Sequence, residues 1–315
     1  MSTIYQDCPY FPELAEYVQA VAGASLQISR ELREGRADIG MVWDGGRHHA
    51  QQAKASGFCY VNDIVLAIME LRRPPIDKTQ TKIDRVLYLD LDVHHGDGVE
   101  MAFHSTSRVL TVSIHCHDPE GGFYPLTGSS SDSGPSPPSP ASSHALNIPI
   151  SSPGQLTHVS SQFLLPIINL YKPDAVVVQC GVDGLAGDPI GGSHWGLGLE
   201  EMGNCLNDII RQSRLIKCKV LLLGGGGYRR ANAARAWAYF TSIALARTCS
   251  LSTDIPSEVD IYMEYGPSFT LDVPALHSSK FLSSTKSDEE FQKTCSSIKP
   301  HLEILEARYT KLELK

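Results

Sequence analysis

No CxxC pair links the eight cysteines, which are scattered at positions 8, 59, 116, 180, 205, 218, 249 and 295. A chain of 315 residues with that spacing and no secretory leader is expected to keep reduced thiols, as in the cytosol or nucleus. The start, "MSTIYQDCPYFPELAEY", lacks a basic segment followed by an apolar one, so no signal peptide is expected. No apolar run approaches the roughly 20 residues of a membrane span. Positive charge is also short: 27 Lys and Arg against 35 Asp and Glu leave a net charge of −8. That balance argues against general nucleic-acid binding and suits a basic peptide. Internal repeats are absent. No GK[ST] or GxGxxG spacing accompanies the glycines, which weakens any nucleotide-binding reading.

What is present is a repeated pattern. "IGMVW" (39–43), "RVLYLDLD" (85–92), "VLTVSIH" (109–115), "DAVVVQCG" (174–181) and "VLLLGGGGY" (220–228) are short apolar runs. Helical periodicity covers 12–34, 60–73, 155–171, 198–213 and 229–247. Pro12 suits the first turn of the first helix and Gly35 its stop. Strands alternating with helices predict an α/β fold, a parallel sheet covered by helices on both faces. The Ser/Pro-rich stretch 129–143 reads as a mobile surface loop. The end of the chain reads as a helix capped by Ser287 with Glu290 and interrupted at Pro300. The expected organisation is a catalytic domain over 1–270 and a helical tail over 271–315.

Polar residues gather where the apolar runs end, the edge at which open α/β sheets place ligands. In "LYLDLDVHHGDG" (87–98), Asp90, Asp92 and His94 share one face if the strand continues. Carboxylates this close repel unless a cation lies between them. Asp92 and His94 are natural metal ligands, and Asp183 after "VVVQCGV" offers a third. Three protein ligands leave an open position for catalysis, and the donor set suits zinc, with iron(II) or manganese also compatible. The bland alternative is a solvated polar loop. His48 and His49 in "DGGRHHAQQ" suit acid–base work, with Asp90 and Asp97 available to orient them; the alternative is a surface pair. Tyr228 follows four glycines, where a hydroxyl could polarise a carbonyl. These parts describe metal-assisted hydrolysis of an amide-like bond.

The chain resembles the zinc-dependent histone deacetylases, class I, and most resembles their type 8 member. The resemblance runs from about Asp7 to about Phe269. It rests on "DCP", "GGRHHA", "ASGFCYVNDI", "DLDVHHGDGVE", "TVSIH", "FYPLTG", "GDP", "LGGGGY" and "YGP". It implies the arginase/deacetylase fold, with the active site at the C-terminal strand edge. It implies hydrolysis of N6-acetyl-lysine in histones or other proteins, and roles in chromatin and transcriptional repression in the nucleus or cytoplasm. Carried over, zinc is held by Asp92, His94 and Asp183, with iron(II) possible. His49 backed by Asp97 is the base and acid, His48 backed by Asp90 tunes charge, and Tyr228 polarises the carbonyl. Gly57, Phe58 and Tyr124 line a tunnel for the lysine, and Asp7 holds the substrate backbone. The family also binds a monovalent cation such as K+. Arginase-type enzymes need further carboxylates for a second metal, where this chain has Gly96 and Leu185. Pro189 and Ala231 stand where the family's corepressor contacts use arginines, so a corepressor complex is not expected to be required, nor a nucleic acid or membrane partner.

The chain also departs from the family. Members carry a first strand and several helices ahead of the "DCP" motif, so a truncated, catalytically impaired isoform acting as a binding protein is the competing expectation. A deacetylase of small acetylated amines is a further one. Gln6 replaces the usual Tyr, Arg47 a Trp or Ser, and Leu126 a Gly. The Ser/Pro segment and "SHWGLG" (193–198) also diverge.

Overall fold

A computed structural model describes residues 7–75, 82–276 and 285–313; Gln6 lies outside the described residues. Six strands form one all-parallel sheet: β1 (Ile39–Val42), β2 (Val86–Asp90), β3 (Val109–His115), β4 (Ala145–Pro149), β5 (Ala175–Gln179) and β6 (Lys219–Leu223). Their order is β1-β6-β5-β2-β3-β4. Side chains alternate between two apolar layers, as period-2 geometry demands. Leu87, Leu89, Val176, Val178, Val220 and Leu222 enter the larger one. Val86, Tyr88, Ala175, Val177, Leu221 and Leu223 enter the smaller. Both layers exclude water, which explains why the central strands read as unbroken apolar runs.

Helices supply the covers. On the smaller layer, α1 (Leu14–Arg33) presents Leu32 and packs on α2 (Asp63–Leu71), which presents Ile64, Ile68 and Leu71. Pro12 lies just before α1, Glu13 is its N-cap, and Gly35 follows its end at φ +75. A short α3 (Asp97–Phe103) follows the polar end of β2. On the other layer lie α4 (Gln155–Val159), a π-helical turn (Ser160–Leu164), α5 (Leu165–Tyr171), α6 (Leu199–Leu215) and α7 (Arg230–Ala244). The single helix expected over 155–171 is thus continuous, with one widened turn.

Several expectations need correction. The strand expected over 85–92 ends at Asp90, so Asp92 and His94 lie in the loop beyond it. That loop keeps order through short bonds: the Asp92 amide donates to Asp90 Oδ1 and the His94 amide to Asp92 Oδ1. The edge strand β4 was not anticipated; Pro149 at its end obscures the pattern, yet an edge tolerates proline. The final helix, α8 (Thr285–Glu313), runs through Pro300 without interruption. Proline in a helix costs about 3 kcal/mol. The buried stripe Phe291, Cys295, Ile298, Leu305 and Tyr309, packed on α5 and β4, offsets it. Ser287 is inside this helix rather than capping it, and its hydroxyl meets Ser151 Oγ at 2.7 Å. The Ser/Pro segment is a chain of turns pinned by α8 and not a free loop. Ser297 donates to the Ser130 carbonyl, Arg308 donates to the Ser142 carbonyl, and Ala141, Ser142 and Ser143 are buried.

The strand order positions the site. After β2 the chain moves outward to β3 and β4, then returns to β5 on the other side of β2 and moves outward again to β6. The C-terminal ends of β2 and β5 therefore flank the switch point, where open parallel sheets leave a crevice.

Candidate active site

Asp92 and His94 leave β2, and Asp183 leaves β5, on the two sides of that switch point. Their ligand atoms lie within 4.8 Å of one another, and all three residues are buried. His94 Nδ1 is 3.0 Å from Asp92 Oδ1 and 3.0 Å from Asp183 Oδ2. Asp183 Oδ2 is fully buried and receives no well-directed hydrogen bond. Burial and the neighbouring Asp92 carboxylate push the Asp183 carboxyl up to about 7. Two converging buried carboxylates, one with an orphaned oxygen, and a ring nitrogen aimed between them fit a divalent cation.

Backbone and amide donors hold these carboxylates from behind. The Gly226 amide donates to Asp92 Oδ2 at 2.8 Å, and the Val93 amide donates to Asp183 Oδ1 at 3.0 Å. A Cβ on Gly226 would stand 2.2 Å from Asp183 Oδ2 and 3.0 Å from Asp92 Oδ2, which is why the loop after β6 carries glycine there. Gln179, the last residue of β5, was not anticipated. Its Nε2 donates to Asp92 Oδ2 at 2.9 Å and its Oε1 accepts from the Gly181 amide at 2.7 Å. A buried polar residue ending an otherwise apolar strand was the available signal.

The two histidines arrive from the loop after β1. Asp63 at the start of α2 accepts from the Gly46 and Arg47 amides, and Asn62 donates to the His48 and Ala50 carbonyls. His48 Nδ1 lies 2.8 Å from Asp90 Oδ2, and His49 Nδ1 lies 2.7 Å from Asp97 Oδ1. Each carboxylate leaves Nε2 as the other functional nitrogen of its ring. Their charges diverge. Burial opposes protonation of His48, but the Asp90 and Asp92 carboxylates outweigh it and push the ring up to about 9. Burial and the adjacent His48 charge push His49 down to about 4, against the pull of Asp97. The two neighbouring imidazoles are thus pushed in opposite directions. His95 turns away from this set, meeting Thr127 Oγ1 at 2.8 Å and Glu100 Oε2 at 3.0 Å.

Tyr228 closes the other side. Its amide donates to Asp188 Oδ2 at 2.7 Å. Burial and the Asp92 and Asp183 charges push its phenol well up, so it remains a proton donor. Phe58 meets Tyr228 edge-on at 5.9 Å, and Tyr124 meets His49 edge-on at 4.8 Å. Phe123, not anticipated beside Tyr124, stacks on His94 at 5.1 Å with the planes 3° apart. Asp7 Oδ2 accepts from the Gly57 amide at 2.6 Å. A cavity of about 230 Å³ touches His48, His49, Asp92, Phe58 and Tyr228 together. Of the residues singled out as site candidates, His48, His49, Gly57, Phe58, Asp92 and Tyr228 line this cavity, and Asp7, Asp90, His94, Asp97, Tyr124 and Asp183 lie against them.

The histone deacetylase domain model matches residues 1–244. Histone deacetylase 8 of Xenopus laevis is 40% identical over 270 residues, covering 85% of this chain and 76% of that protein. Histone deacetylase 8 of Danio rerio is 40% identical over 270 residues, covering 85% and 66%. Histone deacetylase 6 of Arabidopsis thaliana is 40% identical over 272 residues, covering 85% of this chain and about half, 53%, of that protein. A family match across most of the chain, on the same segments that converge at the switch point, has one meaning: this chain belongs to the histone deacetylase family.

Proposed function

We propose that this chain hydrolyses the N6-acetyl-lysine amide of proteins, with acetylated histone tails as the substrate class, at a single zinc site. The observation that carries this reading is the pairing of two histidine–carboxylate couples against one buried Asp–His–Asp cluster. Asp92, His94 and Asp183 would hold the ion. When bound, zinc would supply Lewis acidity toward the amide carbonyl and lower the pKa of a water. Iron(II) suits the same donors.

The chain's own groups do the rest. His49, neutral and fixed through Nδ1 by Asp97, takes a proton at Nε2 and later returns it to the departing lysine amine. His48, held cationic by Asp90, stabilises negative charge developing beside Asp92. The Tyr228 hydroxyl donates to the carbonyl oxygen as it gains charge. Gly57, Phe58 and Tyr124 confine the lysine methylenes, and an apolar wall favours the neutral acetyl-lysine over the charged product. Asp7 orients the peptide at the rim. Gly96 and Leu185, in place of carboxylates, support a single divalent ion. Pro189 and Ala231 support activity without a corepressor complex. A nuclear or cytosolic setting fits this substrate class, and no described helix is long and apolar enough to cross a membrane.

The test is turnover of an acetyl-lysine histone-tail peptide by the purified chain, with and without added zinc, beside a metal count. About one metal per chain and turnover that Asp183→Ala abolishes are expected. A folded, zinc-loaded chain with no turnover would refute the reading.

A further inference from the structure

Two turns from different parts of the chain face each other at the catalytic mouth. One spans Ser56–Cys59, closed by reciprocal backbone bonds between those two residues. Its central residues, Gly57 and Phe58, both take positive φ, +55 and +63. That is the conformation of a tight two-residue turn, unfavourable for phenylalanine and therefore imposed by its surroundings. The other turn carries Phe123 and Tyr124 and continues to Leu126 at φ +70, again strained for a residue with a Cβ. Phe58 stands on the first turn beside Tyr228, and Tyr124 on the second beside His49.

Among the described residues one hydrogen bond joins the two turns: Ser56 Oγ lies 2.6 Å from the Tyr124 hydroxyl. Ser56 is buried, so without this partner its hydroxyl would lose hydrogen bonding to both water and protein. The Tyr124 ring is held at one end by this bond and makes a T-shaped contact with the His49 imidazole, centroids 4.8 Å apart. A phenylalanine would fill the same volume without being tied.

We infer that the Ser56–Tyr124 hydroxyl pair fixes the spacing of the tunnel walls beside His49 and makes these two residues determinants of acyl size. The inference rests on the deacetylase reading above. With the tie intact the walls admit an acetyl group and resist longer acyl chains. Without it the second turn can move away from the first, contact with the acetyl-lysine methylenes weakens, and a butyryl group fits better.

The experiment compares acetyl-lysine and butyryl-lysine forms of one peptide on the full zinc-loaded chain, with Ser56→Ala, Tyr124→Phe and the double variant. Each single variant is expected to raise KM for the acetyl peptide about three- to tenfold, the size of one hydrogen bond, with kcat changing less. The butyryl-to-acetyl ratio of kcat/KM should rise in both. The double variant should be no worse than either single one, because both remove the same bond. Tyr124→Phe removes one oxygen and keeps the ring, so it carries the test if Ser56→Ala does not fold. An unchanged acyl ratio in an active enzyme, or additive losses in the double variant, overturns the inference and leaves the deacetylase reading standing. A parent without turnover counts against that reading instead. Calorimetric binding of the two peptides then decides the tie: a preference for acetyl that narrows in the variants supports it, and an unaltered or absent preference overturns it.

Discussion

Gln179 donates its side-chain amide to Asp92 at 2.9 Å, across the gap between two adjacent strands. Asp90 and Gln179 are register partners on β2 and β5, so the sheet brings Gln179 to the loop that carries Asp92, a proposed metal ligand. Replacing Gln179 with Ala should weaken zinc binding about ten- to hundredfold, the usual cost of losing a partner of a metal ligand. Competition with a chelator measures it. Unchanged affinity would mean the Gly226 amide alone suffices.

Asp183→Ala and Tyr228→Phe should separate binding from catalysis. The first removes a proposed ligand and should lose metal and turnover together. The second should keep about one metal per chain and lower kcat about 100- to 1,000-fold, as for other single oxyanion donors. Metal counts beside steady-state rates decide the point, and a Tyr228→Phe enzyme as fast as the parent would discard the assigned role.

Gly226→Ala should be more damaging than its size suggests. The added methyl would sit 2.2 Å from Asp183 Oδ2 and 3.0 Å from Asp92 Oδ2, the two proposed ligand carboxylates. Zinc affinity should fall at least as far as in Gln179→Ala, in a chain whose circular dichroism remains that of a folded α/β protein.

His144 should make the docking of α8 sensitive to acid. Its Nε2 lies 2.6 Å from the Tyr309 hydroxyl, and burial, with the Arg308 charge beside it, pushes the ring down to about 4. The unfolded chain binds a proton near pH 6.5 and the folded one only near 4, so the unfolded state holds more protons between those values. The stabilisation from neutral His144 is full above about pH 6.5 and is lost as pH falls toward 4, by about 2–3 kcal/mol. Thermal unfolding of the parent and of His144→Gln across that range tests this; the variant should show a shallower loss. Parallel curves would assign the acid sensitivity elsewhere.

How much was legible in the chain beforehand differs by element. Four strands, β2, β3, β5 and β6, announced themselves because both of their faces are buried, which forces unbroken apolar runs; β1, a partly buried edge strand, shows a short apolar run as well. The edge strand β4 did not, because Asn147 and Pro149 interrupt it; there Asn147 donates to Glu100 Oε2. The helix α8 was read as broken because proline's local cost is visible in sequence, whereas the packing that offsets it depends on β4 and α5, far away in the chain. Phe123 and Gln179 were passed over for the same reason: their roles exist only against His94 and Asp92.

The sequence by itself determined the chemistry available: which carboxylates and imidazoles the chain owns, that they end apolar strands, and that glycines surround them. Those are properties of residue type and spacing, and burial makes them costly unless a cation balances them. Tertiary structure alone decided which donor faces which acceptor. The order β1-β6-β5-β2-β3-β4 places the ends of β2 and β5 side by side, and only then do Asp92 and Asp183 converge closely enough to share one ion. The opposite shifts of His48 and His49 are likewise a tertiary result, since two carboxylates, Asp90 and Asp92, outweigh burial at His48, whereas burial and the His48 charge outweigh Asp97 at His49.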